Sequence, residues 1–529
     1  MGIGATAGVA AVGGIALTAN ASDSASSSSS PSSDSLAFDP DAYTELTTTV
    51  TDTDGDEHTV KYHFWKAITY VANPVDATYQ SLVVSAPVEI DGTAVDASDA
   101  PILLANSIGG YMPASVADAT GVGAGGSGGG MPGGAAPSGA ADAGASAAPN
   151  ANENTNANGG ATSSNQLLAL AAGYVVIEPG ARGRTLKNSD GEYYGVAPAA
   201  IVDLKAAVRY IRSNKGRIPG NTDRIVSAGT SAGGALSALL GASGDSPLYD
   251  KLLEELGAAD ASDAIFATGA WCPITDLDHA DGAYEWNWGS NATSSGSKVD
   301  QSVSKELQSQ FAEYQAGLKL KGLDGTRLTA RNYDEYLVEQ YLQPSATKYL
   351  TDLSDSDRET YLASNTFITW KNGKATFSWS DFLTHVGARK KTAPAFDAFD
   401  LSAGENNLFG KGTTETRHFT AYSLKNDTTG VTSKRLDSDL PEVLRLMNPM
   451  YFLAEKPNRA RTKHWWIRLG TNDSDTAHTV SANIAAAAHT LGDDVNHLYY
   501  WDEGHGANTD PGDFIKWIAK VTGYKNNRK

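Results

Sequence analysis

The sequence contains one cysteine, Cys272, among 529 residues. A single thiol cannot close an intrachain disulfide, so a disulfide-stabilised scaffold is excluded, and a zinc site built from several cysteines is excluded with it. Positive charge is also scarce, because 41 Lys and Arg residues against 61 Asp and Glu residues give a net charge of −20. Such an acidic chain is a poor partner for nucleic acid or for an anionic membrane.

Large apolar residues are sparse near the N-terminus. Residues 2–19 are small and uncharged but too weakly apolar to predict a membrane span. They are typical of a signal peptide, and Ala19–Ala21 offers an A-x-A cleavage site. The basic region of such a peptide is missing, but a Gly-Ala segment of low hydrophobicity resembles twin-arginine signals, whose Arg pair would lie just upstream of Met1. We assign residues 1–36 to this signal-like segment and a Ser-rich linker. We expect the protein to be exported and to have no membrane contact after the signal is cleaved. The alternative for the apolar segment is a flexible tail without a targeting role.

Glycine, by contrast, is abundant, with 54 residues. Residues 121–160 hold 13 of them together with 11 alanines and no aromatic residue. Such a stretch cannot bury enough apolar surface to offset its ordering entropy. It is predicted to be a disordered Gly/Ala-rich insertion, acting either as a spacer or as a flap.

Short apolar strands alternate with helices over most of the chain, which predicts an α/β fold with a mostly parallel sheet covered by helices on both faces. The predicted strands are 48–67 (broken by a hairpin turn at Asp54-Gly55), 80–90, 101–105, 173–177, 224–228, 264–271, 464–469 and 496–501, and the predicted helices are 198–213, 234–240, 479–490 and 513–520.

The alternation stops between about 276 and 445, a stretch rich in Trp, Tyr and Asp with helical pieces at 304–318 and 333–342. This predicts one large lid insertion between two strands of the same sheet. The core is accordingly divided into a first part, 37–275, and a second part, 446–529.

A candidate nucleophile lies in the segment Gly229–Gly233, which reads G-T-S-A-G. It matches G-x-S-x-G between a predicted strand and a predicted helix, the context in which this motif presents a serine. The turn is too tight for side chains on either side, and it exposes the Ser231 hydroxyl at the positive end of the helix. A plain helix cap is the alternative.

Candidate partners follow in the order serine, acid, histidine. His505 lies in a glycine-flanked loop after the last predicted strand, whereas His478 falls on a predicted helix, where exposure is expected. Asp473 follows the preceding strand and would orient the imidazole of His505 and stabilise its charged form. Asp475 is the local rival, and a turn or helix cap is the alternative for either acid.

A tetrahedral oxyanion needs two backbone donors. One is expected from the N–H of Ala232, directly after the nucleophile. The other is expected from Gly109 or Gly110, in the loop after the strand 101–105, since paired glycines let backbone amides approach a substrate oxygen. The sequence does not decide between the two glycines.

Six segments in this order resemble bacterial tannases (tannin acylhydrolases) of the second subtype, subtype B. They are Ser107–Met112, Pro179–Arg184, Gly229–Gly234, Cys272–Thr275, Ala283–Trp286 and Gly504–Gly506. The resemblance runs from about residue 60 to the C-terminus, apart from the glycine cluster. It implies an α/β-hydrolase with a large lid. The family's acid and histidine lie 32 residues apart, as Asp473 and His505 do, which favours Asp473 over Asp475.

The resemblance also implies a galloyl-binding site. The family uses a Lys and a Glu 14 residues apart on the lid, which match Lys391 and Glu405, and an acid two residues beyond the catalytic one, which matches Asp475. The adjacent Lys390 leaves the lysine assignment open. Carboxylates that accept from phenol hydroxyls would reject an acid lacking them, since their charges would be left unpaired.

The resemblance thus implies a serine esterase that hydrolyses galloyl esters, small-molecule substrates, to gallic acid through an acyl-enzyme, with no metal and no cofactor. The nearest alternative is a feruloyl or chlorogenate-type hydroxycinnamoyl esterase on the same scaffold. A catalytically inactive hydrolase-fold binding module is a further alternative.

Overall fold

The computed structural model describes residues 36–124, 154–155, 161–162 and 164–525. The predicted signal segment and most of the Gly/Ala-rich insertion at 121–160 lie outside the described residues, so both stay predictions. Within the described part of the chain, no helix combines the length and the apolar character needed to cross a bilayer.

Most strands of the described residues belong to one sheet. The strands are β1 Thr44–Thr51, β2 Glu57–Thr69, β3 Ser81–Ile90, β4 Thr93–Ala94, β5 Ile102–Ala105, β6 Asn154–Thr155, β7 Ala161–Thr162, β8 Val175–Pro179, β9 Ile225–Thr230, β10 Ala267–Trp271, β11 Thr369–Lys371, β12 Lys374–Thr376, β13 His464–Gly470 and β14 Asp494–Tyr500. The sheet has the order β1-β2-β3-β8-β5-β9-β10-β13-β14, with β4 paired to β3, while β6-β7 and β11-β12 form separate pairs.

Helices fill the connections between these strands. They are α1 Asn165–Ala171, α2 Ala199–Ser213, α3 Ala232–Ala242, α4 Asp250–Glu255, α5 Leu277–Trp288, α6 Gln301–Leu318, α7 Tyr333–Leu337, α8 Gln343–Asp352, α9 Asp355–Ser364, α10 Trp379–Val386, α11 Gly404–Leu408, α12 Ala421–Lys425, α13 Leu440–Met447, α14 His478–Thr490 and α15 Pro511–Thr522. Short 3-10 or π turns occupy Pro247–Tyr249, Val338–Leu342 and Tyr451–Glu455.

The strands β8, β5, β9, β10, β13 and β14 run parallel to one another, whereas β1, β2 and β3 form an antiparallel edge. Parallel neighbours need long crossover connections, which the helices supply. The predicted α/β class with a mostly parallel sheet is confirmed.

Helices cover both faces of this sheet. Side chains alternate along a strand, so Thr268 and Trp271 of β10 point to opposite faces. Thr268 Oγ1 donates to the Ser237 carbonyl of α3 at 2.9 Å. The Trp271 ring meets Phe514 of α15 edge-on, with centroids 4.8 Å apart. Strands buried on both sides explain the nearly continuous apolar runs in the sequence.

The predicted strands and helices of the core agree with the structure to within a few residues at their ends. The hairpin turn at Asp54-Gly55 is confirmed: Asp52 Oδ1 accepts the N–H groups of Asp54 and Asp56, each at 2.9 Å. The short helix α1, next to the low-complexity stretch, and the small pair β11-β12 were not predicted.

Residues 272–463, between the neighbouring parallel strands β10 and β13, contain α5 to α13 and the pair β11-β12. We call this segment the helical insertion. The chain leaves the sheet at the carboxyl end of β10 and re-enters it at the amino end of the adjacent parallel strand β13, so the insertion crosses from one edge of the sheet to the other.

Candidate active site

Ser231 occupies the turn between β9 and α3 in a left-handed conformation, with φ of +61°. This conformation is costly for a residue other than glycine and persists only where its surroundings enforce it. The Ser231 N–H donates to the Trp271 carbonyl of the neighbouring strand at 3.0 Å. A Cβ on Gly229 would lie 2.3 Å from the Gly233 carbonyl oxygen, so the chain can close this turn only without side chains there.

The structure brings Ser231, His505 and Asp473 together. His505 Nε2 lies 2.9 Å from Ser231 Oγ, and His505 Nδ1 lies 2.8 Å from Asp473 Oδ2. Asp473 is buried, with 1% of its surface exposed. The imidazole can therefore accept a proton from the hydroxyl while the carboxylate holds the opposite ring nitrogen.

The electrostatic environment favours the charged form of His505. Burial alone would lower the pKa of His505, but the nearby Cys272 sulfur, 4.0 Å from Nε2, and the Asp473 carboxylate outweigh burial and raise that pKa well above its ordinary range. A base that gains a proton during the reaction is stabilised by such a carboxylate.

A second histidine lies close to Asp473 and stays neutral. His478, at the start of α14, is fully buried, so the expected exposure is wrong. Burial lowers the pKa of His478 to about 4, although the charge of Asp473 opposes this shift. The negative charge of Asp473 therefore stabilises a proton on His505 and not one on His478.

The helical insertion supports the loop that carries the acid. From α5, Tyr284 OH donates to the Ser474 carbonyl and Trp288 Nε1 to the Thr476 carbonyl, each at 2.7 Å. Asp473 in turn accepts the N–H of Asp475 at 2.9 Å. The carboxylate is thereby fixed on a loop with little freedom to move.

The expected oxyanion donors lie at the first residue of α3 and in the loop after β5. Ala232 is the first residue of α3, where N–H groups lack intrahelical partners. Gly109 and Gly110 are exposed, and a Cβ on Gly109 would meet no atom within 4 Å.

Two side chains hold the glycine loop in place. Asn106 Nδ2 lies 3.2 Å from the Gly233 carbonyl oxygen, which connects this loop to the start of α3. Arg184 Nε donates to the Gly110 carbonyl at 2.9 Å. Sequence reasoning missed both supporting side chains.

Of the two candidate lysines, Lys390 and not Lys391 contacts the acid next to the histidine. Lys390 Nζ lies 2.8 Å from both carboxylate oxygens of Asp475. Lys391 Nζ lies over the Phe396 ring, 4.4 Å from its centroid. Asp475 Oδ2 is itself 4.0 Å from Nδ1 of His505. A lysine and a carboxylate therefore lie beside the candidate base.

Glu405 lies in the first turn of α11, a helix of the insertion. Burial raises the pKa of Tyr111, and the charge of Glu405 raises it further. A Cβ on Gly404, next to Glu405, would lie 3.0 Å from Arg184 Nη2, and Arg184 Nε donates to the Gly110 carbonyl. Tyr111 OH donates to the Ile274 carbonyl at 2.8 Å. The insertion therefore places Glu405 near the loop that contains Gly110.

A buried ion pair that was not anticipated positions the two lysines. Arg389 and Glu285 have no exposed side-chain surface and form a two-pronged pair. Arg389 Nε also donates to the Lys391 carbonyl at 2.9 Å. The only hint was Glu285 in one of the six family-like segments, since Arg389 looks like ordinary surface charge in the sequence.

Among the residues that the structure describes, two groups of side chains bring possible metal ligands within 4.8 Å of one another. They are Cys272 with Asp473 and His505, and Asp276 with Asp278 and His279. Burial would lower the pKa of His279, but the charges of Asp276 and Asp278 raise it to about 10. His279 Nδ1 lies 3.0 Å from Asp276 Oδ1 and 3.3 Å from Asp278 Oδ1, so the second group forms an ion-pair cluster.

Comparison with known proteins places these features in context. A family model described as BD-FAE matches residues 150–315. No curated protein matches the chain.

Solved structures match it over nearly their whole lengths. A tannase from Fusobacterium nucleatum is 34% identical, the match covering 92% of this chain and 99% of that one, with a TM-score of 0.76. A tannin acyl hydrolase from Lactobacillus plantarum is 33% identical over 92% and 99%, with a TM-score of 0.74. A tannin acyl hydrolase in complex with ethyl gallate is 34% identical over 93% and 99%, with a TM-score of 0.75.

Proposed function

Since this chain belongs to the tannase family of α/β-hydrolases and is a carboxylic ester hydrolase, we propose that it hydrolyses galloyl esters to gallic acid through an acyl-enzyme on Ser231. The resemblance inferred from the sequence is confirmed. The observation that carries the proposal is the chain of contacts from Ser231 Oγ through His505 to Asp473, at 2.9 and 2.8 Å.

The proposed reaction follows from this geometry. His505 Nε2 takes the proton of Ser231 Oγ as the oxygen attacks the ester carbonyl, and Asp473 stabilises the resulting imidazolium. The N–H of Ala232 and that of Gly109 or Gly110 stabilise the tetrahedral oxyanion. His505 then gives the proton to the departing alcohol. A water molecule repeats the sequence on the acyl-enzyme and releases gallic acid.

Recognition of the galloyl ring is assigned to charged side chains on both sides of the site. Asp475 and Glu405 would accept hydrogen bonds from the phenol hydroxyls, and Lys391 would donate to one of them. The contact between Lys390 and Asp475 makes Lys390 a second candidate for this donor. Two structures of tannin acyl hydrolase that are similar to this chain contain ethyl gallate and 3,4-dihydroxybenzoate, ligands that carry neighbouring phenol hydroxyls.

The helical insertion is proposed to act as the lid of this site, as predicted for residues 276–445. Its Lys390 reaches Asp475 on the loop after β13, and its Glu405 lies near Tyr111 on the loop after β5. A lid that supplies charged groups from two directions would exclude water and orient the ring.

A hydroxycinnamoyl esterase is the second candidate, and the match to the BD-FAE family model favours it. It would use the same three residues but accept a longer arm and a methoxyl group. Initial rates on methyl gallate and methyl ferulate separate the two functions. We expect kcat/KM for methyl gallate to be higher by about 100-fold or more, since each charge left unpaired costs about 1.5–3 kcal/mol.

Matched variants test the recognition residues in the same assay. Lys391→Ala and Glu405→Ala should lower kcat/KM for methyl gallate by about 10- to 100-fold, with little change on p-nitrophenyl acetate, which has no phenol ring to recognise. Lys411→Ala removes an exposed lysine of the same insertion and should change neither rate. Faster release of ferulate than of gallate by the parent enzyme would refute the galloyl assignment.

A further inference from the structure

The turn that carries His505 is held by side chains of the helical insertion. Asp502 lies two residues after β14 and three residues before His505, in a left-handed conformation with φ of +60°. His385 Nε2 lies 2.6 Å from Asp502 Oδ1, and Tyr361 OH donates to Asp502 Oδ2. Because a carboxylate offers no proton, His385 Nε2 must carry the hydrogen. We call Tyr361, His385 and Asp502 the Asp502 clamp.

Aromatic packing restricts the clamp. Trp501 Nε1 donates to Tyr361 OH at 2.7 Å. The ring of His385 is stacked on Trp501, with an interplanar angle of 4° and centroids 5.6 Å apart. Phe367 lies on the imidazole as well, at 4.8 Å between centroids. The two groups that hold Asp502 therefore have little freedom to rotate.

The backbone of Asp502 is tied to the loop that carries the acid. Its N–H donates to Thr471 Oγ1 at 2.8 Å, and its carbonyl accepts from Asn472 Nδ2 at 3.0 Å. Asp473 follows directly in the chain. The turn that the clamp holds thus lies at the point where the loops of the acid and the base meet.

The end of α10 and the residues that follow it contact both loops next to His505. His385 lies near the C-terminal end of α10, and the chain continues a few residues later to Lys390, which contacts Asp475. The same part of the insertion is therefore connected to the turn before the base and to the acid beside it. Movement of α10 relative to the sheet would be felt at both loops.

We propose that Tyr361 and His385 are positioning residues for His505, through which the docking of the insertion sets the orientation of the base. This inference rests on the proposed role of Ser231 and His505. A left-handed Asp502 needs outside support, and a catalytic group displaced by about 1 Å can lose about 100-fold in rate.

The test is hydrolysis of p-nitrophenyl acetate by the full chain, because this small ester does not depend on galloyl recognition. His385→Ala should lower kcat by about 10- to 100-fold with KM changed by less than about 3-fold. His385→Gln, which keeps an N–H donor, should recover most of the loss. Tyr361→Phe deletes one hydroxyl and should lower kcat by several-fold. If His385→Ala does not fold, the kcat of Tyr361→Phe alone tests the proposed positioning role.

A matched control variant and a test of the nucleophile itself separate the possible outcomes. His464 and Asp494 form an exposed pair, 3.1 Å apart, at the first residues of β13 and β14, the ends far from His505. His464→Ala should therefore keep the parental kcat. Parental kcat in both His385→Ala and Tyr361→Phe, a change in KM alone, or a His385→Gln as slow as His385→Ala would overturn the clamp. Ser231→Ala must abolish the activity; activity that survives it would overturn the proposed function and the clamp together.

Discussion

At the scale of single residues, three side chains lie against the two ring nitrogens of His505. Asp473 holds its Nδ1, Ser231 lies at its Nε2, and the Cys272 sulfur lies 4.0 Å from that same nitrogen. The neutral His478 behind Asp473 leaves the full carboxylate charge to His505. The proposed base therefore faces the carboxylate of Asp473 without a second charged imidazole beside it.

Replacing Asp473 by Asn tests this arrangement. Asp473→Asn should lower kcat by about 10⁴-fold, the loss seen when a comparable triad loses its carboxylate. Because the base works unprotonated, the rate rises as pH passes the pKa of His505, which the parent holds above its ordinary range. Removing the carboxylate should move this midpoint to lower pH, as a pH profile of kcat/KM will show.

Asp475→Asn is the matched control for that variant. Asp475 lies two residues on, and its oxygen is 4.0 Å from His505 Nδ1 instead of 2.8 Å. Its loss should leave hydrolysis of p-nitrophenyl acetate within about 3-fold of the parent. Equal losses in the two variants would contradict the assignment of Asp473 as the acid partner.

At the scale of elements, the junction of β9 and α3 depends on close backbone contacts. A Cβ on Gly234 would lie 2.3 Å from the Trp271 carbonyl oxygen, the same oxygen that accepts the Ser231 N–H. The first turn of α3 is thus packed directly on the end of β10. This contact, and not helix propensity, explains why glycine stands inside a helix.

Gly234→Ala should therefore push α3 away from β10 and disturb Ser231. We expect kcat to fall by about 10-fold or more and the melting temperature to fall as well, measured by ester hydrolysis and circular dichroism. Gly317 lies in α6 with no atom within 4 Å of a Cβ, so Gly317→Ala should be neutral or stabilising by about 0.5–1 kcal/mol. A Gly234→Ala enzyme with parental rate and stability would rule this account out.

At the scale of the whole molecule, a partly buried cluster joins the start of the helical insertion to Asn448, near its end. Asp276 precedes α5 and accepts from Asn448 Nδ2 at 2.7 Å and from Tyr314 OH at 2.6 Å. His279 lies 3.0 Å from Asp276 Oδ1, stacked on the Tyr314 ring at 3.5 Å. The charge of His279 is part of what holds the insertion in place.

The stability should depend on pH through His279. Its pKa is about 10 in the fold, raised by Asp276 and Asp278 against burial, and about 6.5 in an unfolded chain. A raised pKa contributes stability that is complete below about pH 6.5 and is lost as pH rises through 10. His279→Gln should destabilise the protein by about 1–2 kcal/mol at pH 7, since the imidazole is partly exposed, and by less at pH 10.

Melting temperatures at the two pH values measure this difference. His489→Gln is the control, because His489 is exposed near the end of α14 and its replacement should leave the melting temperature unchanged at both pH values. The same destabilisation by His279→Gln at pH 7 and at pH 10 would show that packing, and not the charge, accounts for the effect.

Local patterns in the sequence determined the parallel core and the positions of Ser231, Asp473 and His505. Apolar runs, tight glycine turns and the order of strand ends are properties of neighbouring residues, and the hydrogen-bonded sheet forces such residues together. The family resemblance, carried by the same segments, needed no further information. The core strands and the three candidate residues could therefore be predicted without knowledge of any tertiary contact.

Tertiary structure alone decided that Lys390 contacts Asp475, that His478 is buried and neutral, and that His385 and Tyr361 hold Asp502. Each of these contacts joins residues far apart in the chain, and most depend on the path of the insertion. That path lacks a regular alternation of strands and helices. Side-chain periodicity describes which face of an element is buried, but it carries no information on which distant partner covers that face.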